Sequence, residues 1–275
     1  MKAFCRLSSV LAFLAFVSCA PGGFREGSFE KTLTVSGPVN LSVETAAGGI
    51  FVRSGSDNVV QIRARVRAGN SFIGGNGEEK IHKLQQNPPI EQQGNTIRIT
   101  RPSDPDLRNN VRIEYDIIAP AKTQLTANSG AGNSTINGLA LPVDATTGAG
   151  TITAEDLAGD VRLRTGAGTV NAKSVGGALE IESGAGSIHV QGEPKHDWRL
   201  KAGAGSIHLD VPSGSSFNLD AESGMGKVNV SDSLELKDAN VSTNRVRGKV
   251  GGGGPVVEIN SGVGSIDVGR SSGPS

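Results

Sequence analysis

Thiols, imidazoles, carboxylates and a recurring Gly-x-Gly are the groups in this sequence that could do chemistry. Cys5 and Cys19 are the only cysteines, and Phe16-Val17-Ser18-Cys19 resembles a bacterial lipobox, with a small residue before the thiol. Ahead of it, Lys2 and Arg6 precede an apolar run from Leu7 to Val17. That run is too short for a hydrocarbon core of ~30 Å and suits a secretory leader. Cleavage before Cys19 would leave a single thiol at the new N-terminus, which excludes an intramolecular disulfide and makes acylation its simplest use. Ordinary signal cleavage near Ala20 is the alternative. The remaining chain would carry 25 basic and 27 acidic residues, a charge of −2. No basic surplus points to nucleic acid, so the membrane, reached through an N-terminal lipid, is the first partner expected.

His189 and His208 each follow a Gly-x-Gly by the same interval. On stacked strands ~4.8 Å apart they would be neighbours in one outward row, close enough for imidazole nitrogens to share a metal. The row also holds Thr153, Asn171, Asn229 and Asp267. Two histidines lack the third and fourth ligands of a metal site, so the expected reading is a solvated polar ladder with no metal and no cofactor. The carboxylates Asp156, Asp160, Glu180 and Glu182 could serve a polysaccharide-acting β-helix, but acids on solvent-facing strand positions also keep a sheet soluble. HExxH is absent, and no catalytic residue is assigned. A dinucleotide loop needs one Gly-rich turn between strand and helix. Here the motif recurs and leads into strands, so no nucleotide is expected. A calcium ladder would need a carboxylate in every turn, which these turns lack.

The elements that carry these groups repeat. Gly-x-Gly occurs at Gly130/Gly132, Gly148/Gly150, Gly166/Gly168, Gly184/Gly186, Gly203/Gly205, Gly224/Gly226 and Gly262/Gly264. The intervals are 18, 18, 18, 19, 21 and 38 residues. The last is two nineteens, which predicts a hidden copy at Arg247-Gly248-Lys249-Val250. Alternating runs follow each marker, such as Ile188-His189-Val190, and precede it, such as Leu179-Glu180-Ile181-Glu182. A period of two marks half-buried strands. No crossover helix fits within one repeat. Each unit is therefore strand, turn, strand, Gly-rich turn, and stacking lets one unit cover the apolar stripe of the next. Both glycines of each marker are expected in the turn, where they permit positive φ and close backbone approach. The Ala, Met or Val between them is expected to point inward.

Residues 29–126 are less regular. Strand patterns recur there, Ala47-Gly48-Gly49-Ile50 reads as a worn copy of the turn, and Gly77–Gln86 predicts a short helix ended by Asn87-Pro88-Pro89. The only Trp, Trp198, lies where the repeat lengthens and is expected to pack in the core or a turn.

The expected architecture is all-β: a β-solenoid, a parallel β-helix-like stack of coils, with a less regular β N-terminal part. An antiparallel β meander or sandwich is the alternative. The divisions are a lipoprotein signal peptide at 1–18, a flexible tether at 19–28, an irregular β cap and first coils at 29–126, the repeat at 127–268 and a disordered tail at 269–275.

The serial Ser/Thr-Gly-Ala-Gly-Ser/Thr-Ile/Val motifs from Ser129 to Asp267, with Leu41-Ser42-Val43-Glu44-Thr45 and Gly49-Ile50-Phe51-Val52 before them, resemble a family of bacterial putative adhesins with β-strand repeats, domain of unknown function 4097. The resemblance implies an adhesive or envelope role and carries over no catalytic residue. The function expected is a lipid-anchored adhesin or surface scaffold that binds envelope polymers or proteins through a repetitive polar face. Its alternatives are a polysaccharide-active enzyme and a self-assembling structural protein. Ala20, where an Asp would resemble an inner-membrane retention signal, suggests the outer membrane.

Overall fold

The computed structural model describes residues 24–69 and 76–271. Strands β1 (Phe24–Thr34), β2 (Val39–Ala47), β3 (Ile50–Gly55) and β4 (Val59–Gly69) precede helix α1 (Gly77–Gln86). After it come β5 (Ile90–Gln93), β6 (Thr96–Ile99) and β7 (Val111–Pro120). Paired strands follow: β8 (Thr123–Ala131) with β9 (Ser134–Asn137), β10 (Val143–Ala149) with β11 (Ile152–Leu157), and β12 (Val161–Ala167) with β13 (Val170–Val175). Next are β14 (Leu179–Ala185) with β15 (Ile188–Gln191), β16 (Trp198–Ala204) with β17 (Ile207–Val211), and β18 (Phe217–Met225) with β19 (Val228–Val230). A hairpin of β20 (Leu236–Val241) and β21 (Arg245–Val250) leads to the last pair, β22 (Val256–Val263) and β23 (Ile266–Arg270).

These strands form one 11-stranded and one 12-stranded sheet, and each coil contributes one strand to each. Alternation decides what faces inward. In one coil Val143, Ala145 and Thr147 come from the 12-stranded sheet, Ile152, Ala154 and Leu157 from the other, and all six are buried. The parallel register places Val143, Val161, Leu179, Trp198 and Val257 in one inward row. Parallel pairing throughout the repeat makes this a β-solenoid rather than an antiparallel meander. Trp198 is 1% exposed, and its Nε1 donates to the Gly177 carbonyl at 3.4 Å; the extra residue before it widens the turn for the ring.

Chain order and stacking order differ at both ends. Pair β2/β3 lies between β6/β7 and β8/β9, and pair β22/β23 lies between β16/β17 and β18/β19. The hidden copy expected at Arg247–Val250 is therefore not a coil. Strand β21 runs antiparallel to β18 and pairs with β20, a hairpin that covers the end of the 12-stranded sheet. The segment lacks the Ser-Gly corner that would turn it into the second sheet, and exposed charges such as Lys237 and Asp238 on β20 discourage further pairing.

At the other end β1, β4 and β7 are antiparallel, and α1 packs on β1 and β4. The helix spans the expected residues. Asn76 caps it, its side chain accepting from the Glu79 N–H at 2.8 Å, and Asn87 closes it. Strand β1 includes Phe24–Ser28, expected in the tether, because that stretch pairs along β4 from Gly69 to Arg65. Gly269 and Arg270, expected in the tail, pair with Asp210 and Val211. Residues 1–18 and Cys19 lie outside the described residues.

Candidate functional site

The outward positions of the 12-stranded sheet form two charged ladders. Register aligns Asp144, Arg162, Glu180, Arg199, Glu258, Asp220 and Arg247 in one. Thr146, Arg164, Glu182, Lys201, Asn260, Glu222 and Arg245 make the other. Rungs pair with their neighbours: Arg162 Nε lies 2.8 Å from Glu180 Oε2, Arg164 Nε 3.2 Å from Glu182 Oε2, Arg199 Nε 2.9 Å from Glu258 Oε2, and Arg247 Nη2 2.8 Å from Asp220 Oδ2. Hydrogen bonds from Arg162, Arg199 and Arg247 hold the carboxyls of Glu180, Glu258 and Asp220 below the ordinary carboxylate range. The arginines are exposed and the carboxylates only partly covered, so solvent screening leaves each pair contributing little to stability. Together they make a self-neutralised, periodic polar face.

A groove of about 840 Å³ crosses several coils where the chain enters this sheet, bordered by Asp144, Asp160, Arg162, Glu180, Arg199 and Glu258. Of the four carboxylates singled out in the sequence, Asp160 and Glu180 meet there. Asp160 Oδ1 accepts the Ala178 N–H at 2.9 Å, so it also ties one turn to the next. Glu182 borders a separate groove with Arg164, and Asp156 sits on the other sheet at φ +54°, in a left-handed break of its strand. A general acid needs a raised pKa. Glu180 has the opposite, and the groove is equipped for contact by ion pairs and hydrogen bonds.

His189 and His208 are stacked on the outward face of the 11-stranded sheet, ring centroids 5.0 Å apart and planes 4° from parallel. The rung beyond His208 is Asp267 rather than Asn229, because the last pair is intercalated. His208 Nδ1 is 3.4 Å from Asp267 Oδ2, whose other oxygen accepts from Asn229 Nδ2 at 2.7 Å. Burial first, then the neighbouring His208, lowers the His189 pKa. Among the described residues no three His, Cys, Asp or Glu side chains converge to hold a metal.

The Gly-x-Gly motifs lie at one corner, stacked directly on one another, but the turn is narrower than expected. The first glycine of each pair is not a turn residue: Gly130, Gly148, Gly166, Gly184, Gly203, Gly224 and Gly262 continue β8, β10, β12, β14, β16, β18 and β22. Only the second makes the corner. Gly132, Gly150, Gly168, Gly186, Gly205, Gly226 and Gly264 all lie outside the strands and at positive φ, with Gly150 at +140°, Gly205 at +139° and Gly226 at +158°. The first position is glycine for a different reason. A Cβ on Gly184 would lie 2.5 Å from the Gly166 carbonyl oxygen, so close approach of the coils, not φ, excludes a side chain there. At Gly186 both constraints act: φ is +133°, and a Cβ would meet the Gly168 oxygen at 1.9 Å.

The residues between the two glycines point outward, contrary to expectation: Met225 is 68% and Val263 47% exposed. Corner backbones this close leave no interior space, and the preceding Ser or Thr takes the last inward place. Thr45, Ser129, Thr147, Thr165, Ser183, Ser223 and Ser261 form that buried row, with Ala202 in one rung. Ser129 Oγ donates to the Gly48 carbonyl at 3.1 Å, Thr147 Oγ1 to Gly132 at 3.2 Å and Ser223 Oγ to Gly264 at 2.8 Å. Sequence reasoning missed this row; its signal was the hydroxyl residue before six of the seven markers.

Fold and face together define a two-sheet β-solenoid whose corners are built from backbone and whose long outer surface is patterned polar. The Toastrack DUF4097 family profile matches residues 40–269, and the chain belongs to that family. Two solved structures are similar. One is a putative cell adhesion protein from Clostridium sporogenes, with a TM-score of 0.38 and 14% identity over 89% of this chain and 100% of that one. The other is a putative adhesin from Bacteroides fragilis, with a TM-score of 0.30 and 15% identity over 89% of this chain and 97% of that one. No curated protein matches.

Proposed function

We propose that this protein is a non-enzymatic component of the bacterial cell envelope, anchored by lipid at Cys19, that binds envelope polymers or proteins in the manner of an adhesin or scaffold. One observation carries the reading: a ladder of charged side chains runs without interruption from Asp144 to Arg247 along the 12-stranded sheet. Such a face favours many weak, repeated contacts with an extended partner, whose avidity grows with the number engaged. Glu180, held below the ordinary carboxylate range by Arg162, is not tuned as a general acid. The leader ahead of Cys19 supports export and acylation, and among the described residues no helix is long and apolar enough to cross a membrane.

Pull-down of purified envelope fractions with the soluble chain from Ala20 onward tests the binding, and radiolabelled palmitate incorporation tests the anchor. Retention of one defined polymer or protein, lost when Arg162, Arg199 and Arg247 are all changed to Gln, is the expected result. Glycan cleavage without retention would overturn the reading.

A further inference from the structure

The outward face of the antiparallel N-terminal strands pairs acid with base almost everywhere. Arg63 sits between Glu30 and Asp116 in register, and Arg65 opposes Glu114. One position breaks the rule: Arg67 of β4 lies directly across from Arg112 of β7. Like charges opposite each other in an antiparallel pair are destabilising. Arg67 is relieved on its far side by Glu26, Nε to Oε1 2.7 Å, and Arg65 bridges Glu114. Arg112 forms no ion pair among the described residues.

A notch of about 330 Å³ opens at this spot, bordered by Arg65, Arg67, Arg112 and Glu114 on one side and Phe51 on the other. Its floor is the corner at Gly48 and Gly49. A Cβ on Gly49 would meet Phe51 Cε2 at 2.6 Å, so the ring leans over a corner that has no side chain of its own. Three guanidiniums thus face a single carboxylate beside a half-buried aromatic ring. Guanidiniums bind carboxylate and phosphate through paired, charge-assisted hydrogen bonds. An apolar wall with a few convergent polar groups, at the lower end of the usual volume range, is the character of a small-ligand site.

We propose that this notch binds one anionic sugar unit, a pyranose bearing a carboxylate or a phosphate, with Arg112 and Arg67 on the anion and Phe51 against the ring. The site is on the sheet opposite the charged ladders and stands whether or not those ladders bind anything.

Isothermal titration calorimetry on the soluble chain from Ala20 onward, with trigalacturonate, glucose 6-phosphate, neutral trigalactose and inorganic phosphate as probes, tests it. Saturable, salt-sensitive binding of trigalacturonate or glucose 6-phosphate, but not of trigalactose, is expected, and which of the two binds assigns the anion. Arg112→Gln should weaken it about tenfold, the usual scale for one charged hydrogen-bonding group. Phe51→Leu should weaken it less, and Arg63→Gln, on the strand of Arg67 but outside the notch, should leave it unchanged. No binding of either acidic sugar, equal binding by Arg112→Gln, or binding of inorganic phosphate as strong as that of glucose 6-phosphate would overturn the proposal.

Discussion

Between Thr123 and Val211 every coil rests on the one before it in the chain, and strands 18 or 19 residues apart become neighbours. At the two ends the neighbours come from much further away: Arg199 meets Glu258, and Leu41 pairs with both Ile97 and Leu125. The middle follows the one-dimensional logic of repeat proteins, in which each unit contacts the next along the chain. The ends abandon it. At the C-terminal end a late pair, β22/β23, is held between two earlier coils, and at the N-terminal end an early pair, β2/β3, is held between two later ones, so each of these pairs is bonded on both sides and cannot simply peel away.

Deleting the intercalated pair should break this contrast most severely. A chain ending at Gly252 loses Val257, Ile259, Ile266 and Val268, all buried, each contributing ~1.5–3 kcal/mol. It also opens a gap between Trp198 and Leu219 in the inward row. Urea unfolding should show loss of the cooperative transition; a small shift in midpoint would mean the terminus behaves as an ordinary end repeat.

Corner glycines separate the regions next. Gly186→Ala in the regular stack should cost at least ~3 kcal/mol, since neither φ nor the neighbouring carbonyl can accommodate it. Gly94→Ala, in the cap hairpin at φ +60° with nothing within 4 Å, should cost only about 1 kcal/mol. Equal effects in thermal melts would argue against the stacked corner.

A finer test lies inside the stack. Thr147→Val removes a bonded hydroxyl and should cost about 1 kcal/mol, whereas Thr165→Val removes a buried hydroxyl that has no partner and should be neutral or stabilising. A loss at Thr165 as large as that at Thr147 would show the two rungs to be equivalent.

The smallest effect is expected in the histidine row that runs from the regular stack to the intercalated pair. The folded chain protonates His189 less readily than the unfolded chain, because its pKa is lowered from 6.5. Unfolding then takes up a proton between the depressed value and 6.5. Stability from this group is present above 6.5 and is lost as the pH falls through that window. Urea midpoints at pH 7.5 and pH 5.5 should therefore differ less in His189→Asn than in the parent chain.

Much of this was legible. The period-two runs around each Gly-x-Gly specify strands, and Asn87-Pro88-Pro89 ends α1, because these signals act within a few residues. The histidine row was legible for the same reason, with both residues holding one phase of one period. That Asp267 stands directly beside His208 was not, nor was the opposition of Arg67 and Arg112, since each depends on which distant strand lies alongside. The different duties of the two marker glycines, one in the strand and one in the corner, were hidden as well, because the first is forced by a neighbouring coil's carbonyl. The outward turn of Met225 follows from the same crowding, which interrupts alternation at the corner.

The sequence by itself determined the unit: two short strands, a backbone-built corner and a polar outer face, repeated at a pitch that only stacking can satisfy. Tertiary structure alone decided the order of the stack, the antiparallel lids at its ends and the residues that meet across them. Strand pairing has little preference among coils of the same pattern. The choice falls to the need to cover open edges and fill the space beside Trp198, which exists only once the sheets have assembled.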